Sequence, residues 1–231
     1  MLRGIGRAVG WYRGEGWRTQ LHVAVRALTC PVDEIVAAVP DGSRVVEVGC
    51  GHGLLAVSIA VARPGVHVRA VDVDSRKLGA ARRAARRAGV EERVQVEEVG
   101  PRWQPPEHTA EVVLVGDVLY LLDDRELRRW LRGVHRALVP EGRLVVKELD
   151  AAPGRRTQLA TAQERWAVER LGITVGATVR FRAAHRWREL LESAGFEVHG
   201  MSQPRAGWHR HVLFVARRPA VEGLHAGSWS A

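Results

Sequence analysis

The sequence predicts a doubly wound α/β fold, a mostly parallel sheet with helices on both faces, and three observations carry that prediction. Short runs rich in β-branched residues recur at 44–48, 66–71, 93–98, 111–115 and 143–149. Helical patterns separate them, and strand–helix alternation at this spacing makes right-handed βαβ crossovers on a parallel sheet. A glycine-rich loop, Gly49-Cys50-Gly51-His52-Gly53, joins the first run to the first crossover helix.

Taken in order, residues 17–29 predict a helix with Trp17, Leu21, Val25 and Leu28 on one apolar stripe. A short helix over 32–39 is opened by Pro31 and closed near Pro40. Val45, Val46 and Val48 suit a strand covered on both faces, which need not alternate. A helix over 54–62 follows, and Pro64-Gly65 turns the chain into a second strand ending at Asp72-Val73-Asp74. Asp74 or Ser75 can cap the Ala/Arg helix that stops at Gly89. The third strand, 93–98, runs into the breakers Gly100-Pro101 and Pro105-Pro106. After the fourth, Asp123 or Asp124 starts a helix reaching Leu138, and Pro140-Glu141-Gly142 turns into the fifth. Beyond it the pattern changes: helices over 157–171 and 185–194, then strands over 196–201 and 211–216. The expected organisation is a helical extension or lid (1–40), a main domain (41–218) with a helical insertion over the active site (151–194), and a flexible tail (219–231). Trp11, Tyr12, Trp17 and Trp166 would make the covering segments apolar.

Composition limits the function classes. The chain has 231 residues, 46% of them hydrophobic, enough for one ordinary core. No apolar run approaches the roughly 20 residues that cross a bilayer, and residues 1–16 lack the apolar centre of a secretory signal. Cys30 and Cys50 form neither a disulfide framework nor a metal-ligand pattern, so cytoplasm is the expected compartment. The formal charge is +9, but Lys77 and Lys147 are the only lysines among 35 basic residues. The arginines are spread along the chain, and the densest group, Arg82, Arg83, Arg86 and Arg87, has the spacing of a solvated helix face.

The glycine loop carries the functional signal. Gly49, Gly51 and Gly53 let the backbone turn sharply and let a ligand lie against bare main chain. Their spacing is G-x-G-x-G, whereas the dinucleotide fingerprint is G-x-G-x-x-G. Glu47, two residues ahead, would repel a pyrophosphate but complement an ammonium or sulfonium charge. An NAD-dependent oxidoreductase is disfavoured on both counts. No G-x-x-x-x-G-K-[ST] occurs. The acid-x-G-x-G-x-G motif, over about residues 41–218, resembles the class I methyltransferases that use S-adenosylmethionine. That resemblance implies S-adenosylmethionine as cofactor and makes the last two strands an antiparallel pair, completing a seven-stranded sheet.

It also assigns roles to residues. Glu47 and the loop of Gly49, Cys50, Gly51 and Gly53 would hold the methionine end. Asp72, 19 residues after Gly53, would accept from the ribose hydroxyls, with Val73 under the adenine and Asp74 better suited as helix cap. Gly116 and Asp117 match the fourth motif, beside the transferring methyl. One departure stands out: where the family commonly has an acid or amide for the adenine amino group, this chain has Gly100-Pro101-Arg102-Trp103. Glu97 or Glu98 could substitute, or a backbone carbonyl, and Trp103 could stack on the adenine or pack on the sheet edge.

Methyl transfer from a sulfonium needs a base only if the acceptor must lose a proton. Candidates are Asp117, Tyr120, Glu148, Glu164, His209 and His211. A small-molecule acceptor, apolar or lipid-like included, is favoured because the extra segments could cover the site. A nucleic-acid acceptor is encouraged by charge alone, and the amino-methylating [DNS]-P-P-[FYW] motif is absent. A protein acceptor, or a methyltransferase-like scaffold without transfer, remains as an alternative. Arginines among Trp11, Tyr12 and Trp17 also allow peripheral membrane contact through the N-terminal segment. Packing of the apolar stripe on the domain is the expectation there.

Overall fold

The computed structural model describes residues 2–151, 180–203 and 211–220. Three N-terminal helices, α1 (Leu2–Gly10), α2 (Trp17–Thr29) and α3 (Val32–Ala38), precede the sheet. Strands β1 (Arg44–Val48), β2 (His67–Asp72), β3 (Val94–Glu98), β4 (Ala110–Gly116) and β5 (Leu138–Leu149) alternate with α4 (Leu54–Ala62), α5 (Ser75–Ala88) and α6 (Asp124–Ala137). A short 3₁₀ turn, Leu119–Leu121, follows β4. Helix α7 (Ala184–Ser193) and strands β6 (Glu197–Ser202) and β7 (His211–Arg217) complete the described chain.

The seven strands form one sheet in the order β3-β2-β1-β4-β5-β7-β6. The first five are parallel, and β7 runs antiparallel to both β5 and β6. The sequence order reverses beside β1, between β2 and β4, and open α/β sheets leave a ligand crevice at the carboxyl ends of such strands. One core layer joins Val45, Val68, Val112 and Val145 to α4 and α5, and takes in Tyr12, Val23, Ala27 and Ile35 from the N-terminal region. The other packs Leu127, Leu131, Trp187 and Phe196 on Val113, Val146 and Phe214.

Local chemistry fixes the ends of these elements. Asp74 is the cap of α5, accepting from the Arg76 amide, and Gly89 closes that helix at φ 70°. Asp123 and Glu126 make a reciprocal capping box on α6. Pro140-Glu141-Gly142 is not a clean turn. Leu138 already pairs with Ala110 and Arg143 with Val112, so the intervening residues bulge out of one continuous strand, with Glu141 at φ 67°.

Two expectations about the N-terminal helices fail. Trp11 and Tyr12 are core side chains, not a lid. The stripe predicted to pack on the domain faces outward instead: Trp17 is 70% exposed, Leu21 57%, Val25 50% and Leu28 54%. Helix α2 docks through its small residues Val23 and Ala27. Residues 157–171, Trp166 included, and the tail from 221 lie outside the described residues.

Gly53 illustrates how tight the α4–α5 contact is. It sits at φ 81°, and a Cβ there would lie 2.8 Å from Ala81 Cβ. Gly53→Ala is expected to cost about 1–3 kcal/mol and lower Tm by several degrees. Gly100 has nothing within 4 Å of a built Cβ, so Gly100→Ala should leave Tm nearly unchanged. Thermal unfolding of the two variants checks this.

Candidate active site

The carboxyl ends of β1, β2 and β4, the glycine loop, the 3₁₀ turn and one side of α2 enclose a cavity of about 440 Å³. At its base the loop turns through three left-handed glycines, Gly49 (φ 76°), Gly51 (φ 55°) and Gly53 (φ 81°). Each has its own reason. A Cβ on Gly49 would strike Val118 Cγ2 at 2.3 Å, and one on Gly53 would strike α5. A Cβ on Gly51 would have only Lys77 Cδ at 4.0 Å for company, so this glycine leaves open space over the loop. The Gly49 and Cys50 amides donate to Val71 O at 2.8 and 3.0 Å. Those bonds tie the loop to β2.

Asp72 holds the same loop. One carboxylate oxygen accepts from Gly51 N at 2.7 Å and the other from Asp74 N at 2.8 Å. It lines the cavity beside Val73, which is half exposed.

Glu47 is nearly fully buried and lines the cavity. The Ala56 amide, in the first turn of α4, donates to its carboxylate, yet Oε2 has no hydrogen-bond partner. Burial pushes its pKa up to about 8, against the pull of Arg26 and the Ala56 amide. A buried carboxyl oxygen left without a donor is costly, and it is complementary to a cationic donor entering the cavity.

The methyl-side motif is built differently from expectation. Asp117, at φ 58°, is clasped by two cations. Lys147 Nζ donates to both oxygens at 2.6 Å, and Arg26 Nη1 donates to Oδ2 at 2.7 Å. Arg26 Nη2 adds a bond to Gly116 O at 3.1 Å. Burial would raise the Asp117 pKa, but Lys147 and Arg26 hold it well below the ordinary range. Asp117 is therefore a fixed carboxylate, a poor base at neutral pH.

The remaining candidates divide cleanly. Tyr120, which packs against Phe181, and His211 on β7 both line the cavity. Glu148 does not; its side chain turns to the other face of the sheet and accepts from the Val118 and Leu119 amides at 3.2 and 2.8 Å. Glu164 and His209 lie outside the described residues. Neither Glu97 nor Glu98 reaches the cavity, and Glu97 is bound to Arg69 at 2.7 Å. Gly100, Pro101 and Trp103 line it instead, with Arg69 stacked on Trp103.

Sequence reasoning missed His22, Arg26, His52 and Lys147. His22 and His52 have ring centroids 4.9 Å apart, and burial, with His52, Arg26 and Lys77 nearby, lowers the His22 pKa to about 4. Tyr12 donates its hydroxyl to His52 O at 2.8 Å, which braces that end of the loop. Composition did hold one signal: both lysines of this arginine-rich chain line the cavity.

A sequence profile described as a methyltransferase domain matches residues 20–200. The chain belongs to that family, and its fold is that of a class I methyltransferase. It is 42% identical over 106 residues to aclacinomycin 10-hydroxylase RdmB of Streptomyces purpurascens, which covers 45% of this chain and 27% of that protein. It is 39% identical over 89 residues to a ubiquinone biosynthesis O-methyltransferase of Xylella fastidiosa (strain 9a5c), covering 38% and 32%. Its fold matches the pyocyanin biosynthetic protein PhzM with a TM-score of 0.68 and 24% identity, over 90% of this chain and 60% of that one. The matched stretches thus span about a third or less of the curated relatives.

Glu47 gives a pH-dependent prediction. A carboxyl whose folded pKa is raised supports the fold while protonated, fully below its unfolded value near 4.5. That support is lost as pH rises through about 8. Glu47→Gln should therefore raise Tm more at pH 8.5 than at pH 5, by several degrees, when the two proteins are melted without ligand.

Proposed function

We propose that the protein is an enzyme that transfers the methyl group of S-adenosylmethionine to a small-molecule acceptor. One observation carries this: buried Glu47, whose Oε2 has no hydrogen-bond partner, lines a cavity floored by the glycine loop and bordered by Asp72. The residues present fit the cofactor. Glu47 would receive the ammonium, Asp72 the ribose hydroxyls, and Val73 with the Gly100–Trp103 segment the adenine. The relatives named for ubiquinone and pyocyanin biosynthesis support a small acceptor.

When bound, the cofactor supplies a methyl group already activated by its sulfonium. The chain's task is alignment in a dry pocket. Arg26 and Lys147 hold Asp117 between them, each within hydrogen-bond distance of its carboxylate. Tyr120, His211, His22 and His52 line the cavity and carry groups able to orient the acceptor or take its proton.

A second reading has its own observation. The relative with 42% identity is named a hydroxylase, so the domain could bind the cofactor and catalyse another reaction. Incubation with methyl-labelled S-adenosylmethionine and a metabolite extract separates the two. Transfer predicts a labelled small molecule and equimolar S-adenosylhomocysteine; a turned-over substrate with the cofactor intact would contradict it.

The cofactor assignment is tested by calorimetry. Asp72→Ala should weaken S-adenosylmethionine binding at least about 10-fold, the loss of a charge-assisted hydrogen bond. Asp74→Ala removes a helix cap and should cost about 1 kcal/mol of stability with little change in affinity. Equal binding by the two variants would break the assignment.

A further inference from the structure

Helix α2 divides its surface three ways. Val23 and Ala27 enter the core, while His22, Arg26 and Thr29 line the cavity. Trp17, Leu21 and Leu28 point outward on a third arc, and Val25 sits where that arc meets the cavity. Four large apolar side chains, each half or more exposed, thus form one continuous strip running to the cavity mouth. Scattered exposed apolar residues need no explanation, but a contiguous strip beside a binding site does.

The charges around it select the partner. Residues 1–29 hold five arginines and one acid, Glu15. Glu15 is consumed by Arg83 and Arg87 of α5, and Arg26 by Asp117. Arg7, Arg13 and Arg18 are exposed, and among the described residues no carboxylate pairs with them. Arg18 stands at the start of α2, with its guanidinium over the Trp17 ring. The nearest following acids, Asp33 and Glu34, belong to α3, and Glu34 accepts from Ser202. An apolar strip that begins at a tryptophan stacked with an unpaired arginine, in a segment with two further exposed arginines, is the pattern of a helix seated in the headgroup layer of an anionic bilayer.

We propose that α2 is a membrane-docking face: Trp17, Leu21 and Leu28 enter the interface of an anionic bilayer, Arg7, Arg13 and Arg18 meet its lipid headgroups, and the cavity mouth at Val25 opens toward the acyl layer. An apolar acceptor dissolved in the bilayer then enters the cavity without crossing water. The docking itself is independent of whether methyl transfer occurs.

Flotation of the full chain with vesicles tests this. Phosphatidylcholine vesicles with about 30 mol% phosphatidylglycerol should carry the protein at low salt, and pure phosphatidylcholine vesicles should carry little of it. Leu21→Glu with Leu28→Glu should reduce flotation at least about 10-fold, since both side chains leave the bilayer and bring negative charge to it. Neither position is in the core or the cavity lining, so S-adenosylmethionine affinity of the double variant should match the parent, which excludes a folding defect. The proposal is overturned if the parent stays unbound with anionic vesicles, or if the double variant floats equally well. It is also overturned if sedimentation shows a stable parent dimer that the same substitutions dissociate, since the strip would then be a subunit contact.

Discussion

Glu47 sits near the carboxyl end of β1, buried, with the Ala56 amide donating to its carboxylate and Oε2 without a hydrogen-bond partner. Ionised and alone, such a group would cost several kcal/mol. The fold meets that cost by keeping it protonated, with a pKa near 8. The surrounding architecture follows from this placement. The glycine loop must pass over the carboxyl without side chains, β2 must tie the loop down through Val71 O, and α4 must begin beside the carboxyl so that Ala56 can donate to it. A positively charged ligand would give this carboxyl the partner it lacks.

A second constraint ties the N-terminal helices to the sheet. Arg26 reaches from α2 to Asp117 and Gly116 O, and Lys147 closes the cluster from β5. Three chain segments far apart in sequence meet in one hydrogen-bonded ion cluster, where removing Asp117 would strand two cations. The consequence for chemistry is that Asp117 organises the wall and does not carry protons. It also orients α2, and with it the outward apolar strip, relative to the cavity mouth.

The sequence made the sheet, the crossovers and the glycine loop legible because each rests on local backbone physics. Left-handed glycines, a capping aspartate and β-branched runs act within a few residues of themselves. Asp74 was separable from Asp72 on the same ground, as the residue adjoining the α5 start. What escaped depended on contacts across the chain. Arg26 is one arginine among many until the fold sets it against Asp117. On β5 parity decides: adjacent strand residues face opposite sides of the sheet, so Lys147 lines the cavity and Glu148 does not. For α2, periodicity identified the apolar stripe correctly but not its direction, because the core accepts the smaller Val23 and Ala27 instead.

The most direct measurement is the proton balance of S-adenosylmethionine binding, read by calorimetry at pH 7 in buffers of different ionisation heat. If Glu47 is protonated in the free protein and ionises against the incoming ammonium, binding releases close to one proton, and Glu47→Gln abolishes the release. Binding with no proton release, or with a release that Glu47→Gln leaves unchanged, would contradict the account of how this site receives its ligand.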